Sequence, residues 1–179
     1  MPVWFLLVLT FVLGGSASAI AGWPERLSGH GGPVKSVTLD PSGKRILSTS
    51  FDYSAIVWTM PEDGGQPSVQ RLLGHNAAVN DGRFLKGDRE VTVSDDSDLI
   101  LWDLKSGAAL QRFSGKGEKV ISLEISPDER FAAVASWENE ARIYDLAASP
   151  PKLAHTLRGH RNNVNAVAFS VDGTKIFTA

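Results

Sequence analysis

The sequence predicts an all-β protein that is built from repeated four-stranded units. A glycine recurs at spacings of 45, 41 and 44 residues, each time with a valine five positions later. Segments in which apolar and polar residues alternate lie between these markers, and clusters of Pro, Asp and Gly separate the segments. Repeats of about 40–45 residues with four strands each are typical of the blades of a β-propeller. The markers are Gly29 and Val34, Gly74 and Val79, Gly115 and Val120, and Gly159 and Val164.

The first strand of each unit begins at the valine and is followed by a tight turn. Its apolar residues in the first, third and fourth units are Val37 and Leu39, Leu123 and Ile125, and Val167 and Phe169. In the second unit Phe84 keeps its place, but Gly82 replaces the first apolar residue, which predicts a local weakening or a bulge. Turn-forming residues follow at 40–44, 85–89, 126–130 and 170–174, as hairpins require.

The second and third strands end in characteristic residues. The second strand ends in a serine, and after a polar turn the third strand ends in an aromatic residue. A fourth strand then leads into the next glycine. The serines are Ser50, Ser94 and Ser136, and the aromatic residues are Trp58, Trp102 and Tyr144.

These units resemble the WD-repeat β-propeller family. The resemblance rests on Trp102-Asp103, the dipeptide that names the family, and on Gly74-His75 in the same unit. It rests also on the recurrence of the whole pattern of marker residues at consistent spacing. Trp58-Thr59 and Tyr144-Asp145 are degraded versions of the dipeptide. The resemblance covers a domain over 22–179, with repeats at about 26–70, 71–111, 112–155 and a truncated repeat at 156–179.

The resemblance implies a WD-repeat β-propeller that is present as an incomplete arc of about three and a half four-stranded blades. The last residues, 174–179, align with 44–49 in the second strand of the first unit, and the serine that ends the second strand is expected next. A closed propeller needs typically about 4–8 blades. We therefore expect the chain to be the N-terminal portion of a larger protein.

A His, a Ser, an Asp and a Trp recur in fixed order in the first two units. They are His30, Ser50, Asp52 and Trp58, and then His75, Ser94, Asp96 and Trp102; His160 opens the fourth unit in the same way. One interpretation is a hydrolytic triad, but an active site is needed once, whereas this set repeats. The resemblance implies a structural network in which Asp accepts from His, His contacts the Ser hydroxyl, and Ser contacts the indole N–H. The third unit keeps Ser136 but carries Lys116, Glu138 and Tyr144, which predicts the softest blade.

Composition excludes several functional classes. The chain has 18 Lys plus Arg against 20 Asp plus Glu, whereas a non-specific nucleic-acid binder needs a basic excess. It has no cysteine, which excludes a disulfide framework, a cysteine nucleophile and covalent haem attachment within this stretch. No phosphate-binding loop is present, and His155 and His160 lack further metal ligands. The sequence therefore predicts no catalytic residue, no cofactor and no metal site.

The first residues predict a signal peptide over 1–21. No charged side chain occurs between Met1 and Ala21, and the apolar run Val3–Leu13 is too short for the roughly 20 residues of a spanning helix. Small residues at 17–19 or 19–21 provide a cleavage site, although no Lys or Arg follows Met1. The alternatives are an uncleaved anchor that runs to Trp23, the one route to membrane contact, or a buried strand. We expect an exported protein, periplasmic or extracellular.

Binding is expected at the rim of the blades. The resemblance places Lys35, Asn80, Ile121 and Asn165, each just after the repeated valine, near the top entrance of the propeller channel. It places Phe51, Asp95 and Trp137 directly before the acid of the turn between the second and third strands. Exposed aromatic residues at loop tips are common interaction hot spots; the alternative is that Phe51 and Trp137 pack against a neighbouring blade.

The leading functional hypothesis is a non-catalytic scaffold for protein–protein interaction that binds protein partners on its rim and does not bind nucleic acid. The alternative is an accessory domain of a periplasmic redox protein, because some exported bacterial WD-repeat proteins that resemble this chain continue into a c-type haem domain. A third hypothesis, a hydrolase with its site in the central channel, requires channel-facing His or carboxylates outside the repeated set, and we find none convincing.

Overall fold

The computed structural model describes residues 24–115 and 117–179 and contains fourteen β-strands within them. The signal peptide predicted for 1–21 and the side chain of Lys116 lie outside the described residues. In the part of the chain that is described, no helix is long and apolar enough to cross a membrane.

The strands form three four-stranded antiparallel sheets and one hairpin. The first sheet contains β1 (Val34–Leu39), β2 (Arg45–Ser50), β3 (Ser54–Thr59) and β4 (Ser68–Leu73). The second contains β5 (Val79–Leu85), β6 (Arg89–Ser94), β7 (Leu99–Asp103) and β8 (Ala108–Phe113). The third contains β9 (Val120–Ile125), β10 (Phe131–Ser136), β11 (Glu140–Asp145) and β12 (Lys152–Arg158), and the hairpin pairs β13 (Val167–Phe169) with β14 (Ile176–Thr178).

Strand order follows the chain in every sheet, as in propeller blades, and the sheets described do not close into a ring. The all-β fold of the sequence prediction is therefore confirmed, including the open arc of blades. Each sheet can be called a blade, numbered one to four in chain order.

Three apolar cores lie between consecutive blades, and a fourth, smaller one lies on blade one. Between blades one and two, the buried residues include Leu47, Val57, Leu72, Ile100, Trp102 and Leu104. Between blades two and three, they include Val91, Val93, Leu101, Leu123, Val134 and Tyr144. Between blades three and four, they include Ala133, Ala135, Ile143, Val164 and Val167. Stability therefore comes from burying apolar surface at each interface, as in other repeat arrays.

Gly82 does not weaken its strand in the way that the sequence analysis predicted. A register irregularity occurs near the start of all three complete first strands, between Val34 and Ser36, Val79 and Asp81, and Val120 and Ser122. It is therefore a property of the repeat and not of Gly82. A Cβ atom on Gly82 would lie 2.7 Å from Leu47 Cδ2 and 3.3 Å from Thr92 Cγ2. The missing side chain lets blade one pack closely against blade two.

Gly82→Ala is expected to lower the free energy of unfolding by about 1–3 kcal/mol, because the added methyl group overfills the interface. Leu47 is fully buried, so its side chain has to shift within a packed interface to admit the methyl group. Gly31→Ala is the matched control, since its Cβ would meet no atom nearer than 3.9 Å. Urea denaturation of both variants gives the comparison. Equal midpoints for the two would contradict this role of Gly82.

Candidate partner-binding rim and its supporting network

In blade one, His30 is the centre of a hydrogen-bond chain. His30 Nδ1 lies 3.0 Å from Asp52 Oδ2, and His30 Nε2 lies 2.8 Å from Ser48 Oγ. Trp58 Nε1 donates to the same hydroxyl at 2.8 Å. The indole N–H donates to the hydroxyl, the hydroxyl donates to Nε2, and Nδ1–H donates to the carboxylate. Every one of these three polar hydrogens therefore has an acceptor.

Blade two repeats this arrangement with a threonine. His75 Nδ1 lies 3.0 Å from Asp96 Oδ2, and His75 Nε2 lies 2.8 Å from Thr92 Oγ1. Trp102 Nε1 donates to Thr92 Oγ1 at 2.8 Å. Because Thr92 is fully buried, each of these polar groups would be costly to leave without a partner.

The placement of Ser50 and Ser94 in the network was wrong by two residues. Trp58 pairs across the sheet with Ile46, so Ser48 is two residues along the strand, whereas Ser50 is four residues, or about 13 Å, away. Ser50 Oγ instead accepts the backbone N–H of Asp52 at 3.1 Å and donates to Gly32 O at 3.2 Å.

Ser94 has the corresponding position in blade two. Its Oγ accepts the backbone N–H of Asp96 at 3.1 Å, so it shapes the turn and does not join the network. Residues two apart on a strand share a face, which is why the alternation of the sequence fits either serine.

The carboxylates of the network are held in their ionised form. Burial alone would raise the pKa of Asp52, but hydrogen bonds from Ser54, the backbone N–H of Gly31 and His30 lower it well below its usual range. For Asp96, hydrogen bonds from His75 and the backbone N–H of Asn76 outweigh burial and lower the pKa to about 2. These groups fix the turn between the second and third strands to the head of the first strand.

The network is unsuited to nucleophilic catalysis. Ser48 and Thr92 are buried, and each hydroxyl is shared between an indole N–H and a histidine nitrogen. A nucleophile must reach its substrate, and these oxygen atoms are enclosed by their own blade. The arrangement therefore acts as a structural clamp.

Phe51 and Trp137 lie half-exposed at the turns between the second and third strands of blades one and three, with 47% and 41% of their surface accessible. The Lys35 ammonium lies 5.0 Å from the centre of the Phe51 ring, and the Lys119 ammonium lies 5.1 Å from that of Trp137. Stacking of this kind is a cation–π contact.

Backbone hydrogen bonds hold both aromatic residues in place. Phe51 N–H donates to Pro33 O at 3.0 Å, and Trp137 N–H donates to Lys119 O at 3.1 Å. Asp95 N–H makes the same bond to Ala78 O at 2.9 Å in blade two. The three turns therefore present their first residue at the same position of each blade.

Asp95 and Asn80 are used inside the molecule. Asn80 is buried, and its Nδ2 donates to Asp95 Oδ1 at 2.7 Å and to Val120 O at 2.9 Å. Asp95 Oδ2 accepts from Lys119 Nζ at 2.7 Å. Asn80 is therefore not accessible to a partner and links blades two and three.

The other two residues that follow the repeated valine differ from each other. Ile121 is partly buried and packs against the core between blades three and four. Asn165 is exposed, and its backbone N–H donates to Ala179 O at 2.6 Å. Of these four positions, Lys35 and Asn165 therefore present side chains to solvent.

Tyr53, which the sequence patterns do not single out, is 52% exposed and has a positive φ of 69°. The corresponding residues of the next two turns, Ser97 and Asn139, also have positive φ. Asn tolerates this left-handed conformation, whereas a bulky residue such as tyrosine adopts it at an energetic cost. Phe51, Tyr53, Trp137, Lys35 and Lys119 are called the aromatic rim below.

A family model described as "WD domain, G-beta repeat" matches residues 24–59, 107–145 and 151–179, which together are more than half of the chain. The chain belongs to the WD-repeat family. This confirms the resemblance that the repeated glycine, valine and tryptophan positions predicted.

Individual WD-repeat relatives match most of this chain. Human apoptotic protease-activating factor 1 is 32% identical over 135 residues, which are 75% of this chain and 10% of that protein. The SIR4-interacting protein SIF2 of Saccharomyces cerevisiae is 27% identical over 78% of this chain and 25% of its own length. A guanine nucleotide-binding protein subunit beta of Solanum tuberosum is 25% identical over 81% and 41%, respectively. The chain thus spans less than half the length of each of these relatives.

A solved structure, the C-terminal WD40 domain of Sif2, is similar with a TM-score of 0.75 and 24% sequence identity. The match covers 85% of this chain and 44% of that chain, and it supports the fold. WD-repeat proteins are generally non-catalytic scaffolds whose domains bind protein partners.

The third WD repeat departs from the first two. Val134 occupies the position of the network hydroxyl, Tyr144 that of the tryptophan and Glu138 that of the turn aspartate. Ser136 Oγ accepts the backbone N–H of Glu138 at 3.3 Å, as Ser50 does for its turn. Arg142, which is buried, forms ion pairs with Glu138 and Glu140 in place of the hydrogen-bond chain.

The arginine of this repeat lies on a different strand from the arginines of the first two repeats. In the first two blades an arginine on the fourth strand contacts the turn acids and the carbonyl of the repeat glycine. Its cross-strand neighbour there is isoleucine, whereas in blade three the arginine is on the third strand and threonine on the fourth. The pairs are Ile56 with Arg71, Ile100 with Arg112, and Arg142 with Thr156.

The fourth WD repeat contains its network hydroxyl within the chain. His160 Nε2 lies 2.7 Å from Thr178 Oγ1, the counterpart of Ser48. The expected position of this hydroxyl, one residue after Ala179, is therefore wrong by two residues, as for Ser50 and Ser94.

Proposed function

We propose that this chain is a non-catalytic scaffold that binds a protein partner through the aromatic rim. Tyr53 carries this proposal, because it is half-exposed in a backbone conformation that disfavours its side chain. Strained residues persist where function requires them. Exposed aromatic side chains on a rigid frame are common hot spots of protein interfaces.

The relatives support the same role. SIF2 carries the name of a protein with which it interacts, SIR4, and the potato relative is a subunit of a guanine nucleotide-binding protein. The buried clamp in blade one holds the turn of Phe51 and Tyr53 rigid, which reduces the entropy cost of binding there. The near-balanced charge of the chain favours a protein partner over nucleic acid.

Tyr53→Asn is expected to raise the free energy of unfolding by about 0.5–1 kcal/mol, because Asn suits the left-handed conformation better. The same change should weaken partner binding about tenfold or more, because a hot-spot side chain is lost. Urea denaturation and quantitative co-purification of the partner with the intact protein measure the two effects.

Tyr53→Phe is the matched control, since it keeps the ring and should change neither quantity appreciably. A Tyr53→Asn protein that is more stable and binds its partner as before would contradict a binding role for the rim. The backbone conformation would then have no functional reason.

We also propose that the protein is exported to the periplasm or the cell exterior. The support is the uncharged, apolar segment over 1–21 with its small residues. Mass spectrometry of the native protein should find a mature N-terminus at Ile20 or Gly22. Intact Met1 in a cytoplasmic fraction would contradict export.

A further inference from the structure

We infer that the partner segment bound by the rim is a peptide in which an acidic side chain adjoins an apolar one, with the acid on Lys35 and the apolar group on Phe51 and Tyr53. This inference rests on the proposed function and specifies the chemistry of the partner. It follows from the charges that remain available at the rim after the internal ion pairs are formed.

Two carboxylates beside the rim, Asp52 and Asp95, are already paired. Asp52 Oδ2 accepts from His30 Nδ1 at 3.0 Å and from Arg71 Nη1 at 3.2 Å. Asp95 accepts from Asn80 and Lys119, as described above. Neither acid is free to recruit a basic partner.

Lys35, in contrast, is exposed and stacked on Phe51 without a carboxylate partner in the described part of the chain. An ammonium group has three donor hydrogens, and stacking on a ring satisfies none of them fully. A partner carboxylate placed there would gain an ion pair close to an apolar surface, where screening by water is weaker.

The apolar component comes from the adjacent rings. Phe51 and Tyr53 flank Asp52 in the same turn and are both about half-exposed. A peptide side chain next to the carboxylate on Lys35 would therefore meet aromatic surface. Lys119 is already paired with Asp95, and the exposed acid Glu118 precedes Lys119 in the sequence, so Lys35 is the rim cation that remains available.

The test is selection of a phage-displayed library of random octapeptides on the intact protein. We expect the selected sequences to be enriched in Asp or Glu next to an apolar residue. Lys35→Glu should weaken their binding about tenfold, and added salt should weaken binding to the unmodified protein. Lys105→Glu is the matched charge control, because Lys105 is exposed in the turn between β7 and β8, and it should leave binding unchanged.

The outcomes separate this inference from the proposed function. Selected peptides that need Tyr53 but carry no acid would overturn the inference and leave the proposed function standing. An absence of any peptide whose binding depends on the rim would overturn both. A labelled single-stranded oligo-dT that bound more tightly than the peptides, with the same loss on Lys35→Glu, would overturn the acidic-peptide assignment in favour of nucleic acid.

Discussion

Thr92→Val is expected to lower the free energy of unfolding by about 2–4 kcal/mol, although the two side chains have nearly the same shape. The change removes the hydroxyl that donates to His75 Nε2 and accepts from Trp102 Nε1. Both partners are buried and would each lose a hydrogen bond worth roughly 1–3 kcal/mol when left unpaired. Urea denaturation followed by circular dichroism measures the loss.

Ser94→Ala is the matched control for this prediction. Ser94 is equally buried on the same face of β6, but its hydroxyl accepts only the backbone N–H of Asp96 within the turn. We expect a loss of about 1 kcal/mol or less. A larger loss of unfolding free energy for Ser94→Ala than for Thr92→Val would contradict the assignment of Thr92 as the hydroxyl of the clamp.

Glu90→Ile is expected to stabilise the protein above neutral pH and to flatten its pH dependence. Glu90 is fully buried opposite Trp102, and no hydrogen-bond donor in the described residues reaches either carboxyl oxygen. Burial raises the pKa of Glu90 to about 8, against a smaller lowering effect from Arg45. Ile46 has the corresponding place opposite Trp58 in blade one, so isoleucine fits the repeat.

The direction of the pH effect follows from proton linkage. The unfolded chain releases the Glu90 proton at a pKa near 4.5, whereas the folded chain retains it up to about 8. Glu90 therefore makes the folded state bind more protons between these values, so the contribution of Glu90 to stability is greatest below about pH 4.5 and falls as the pH rises towards 8. The total loss is on the order of a few kcal/mol.

The measurement is the difference in unfolding free energy between the unmodified protein and each variant from pH 5 to 8. Both Glu90→Ile and Glu90→Gln should remove the decline that Glu90 causes, whereas only the isoleucine also removes a buried polar group. If the difference from either variant stayed constant over this range, Glu90 would not titrate as its burial implies.

The repeated fold could be predicted because each marker residue meets a packing need that recurs in every blade. A Cβ on Gly74 would lie 2.8 Å from the Trp102 ring, and one on Gly29 would lie 2.6 Å from the Trp58 ring. Glycine and tryptophan therefore have to appear together, and their recurring spacing makes the fold recognisable from the sequence.

Two features of the site could not be predicted because they depend on register or backbone geometry. Ser48 and Ser50 share a face of β2, so alternation alone does not separate them. The conformation of Tyr53 depends on a turn whose glycine or asparagine signal is missing at that position. Glu90 did leave a signal, a charge where Ile46 stands in the first unit, which comparison of the units could have detected.

The most direct test of the account is site-specific cross-linking in cells that express the intact protein. The photo-reactive residue p-benzoylphenylalanine would replace Tyr53 or Trp137 on the rim, and Lys105 or Leu110, which are exposed away from it. We predict covalent adducts with one partner protein from both rim positions and none from the other two. Adducts that form only from positions 105 and 110 would contradict the claim that the aromatic rim is the binding surface.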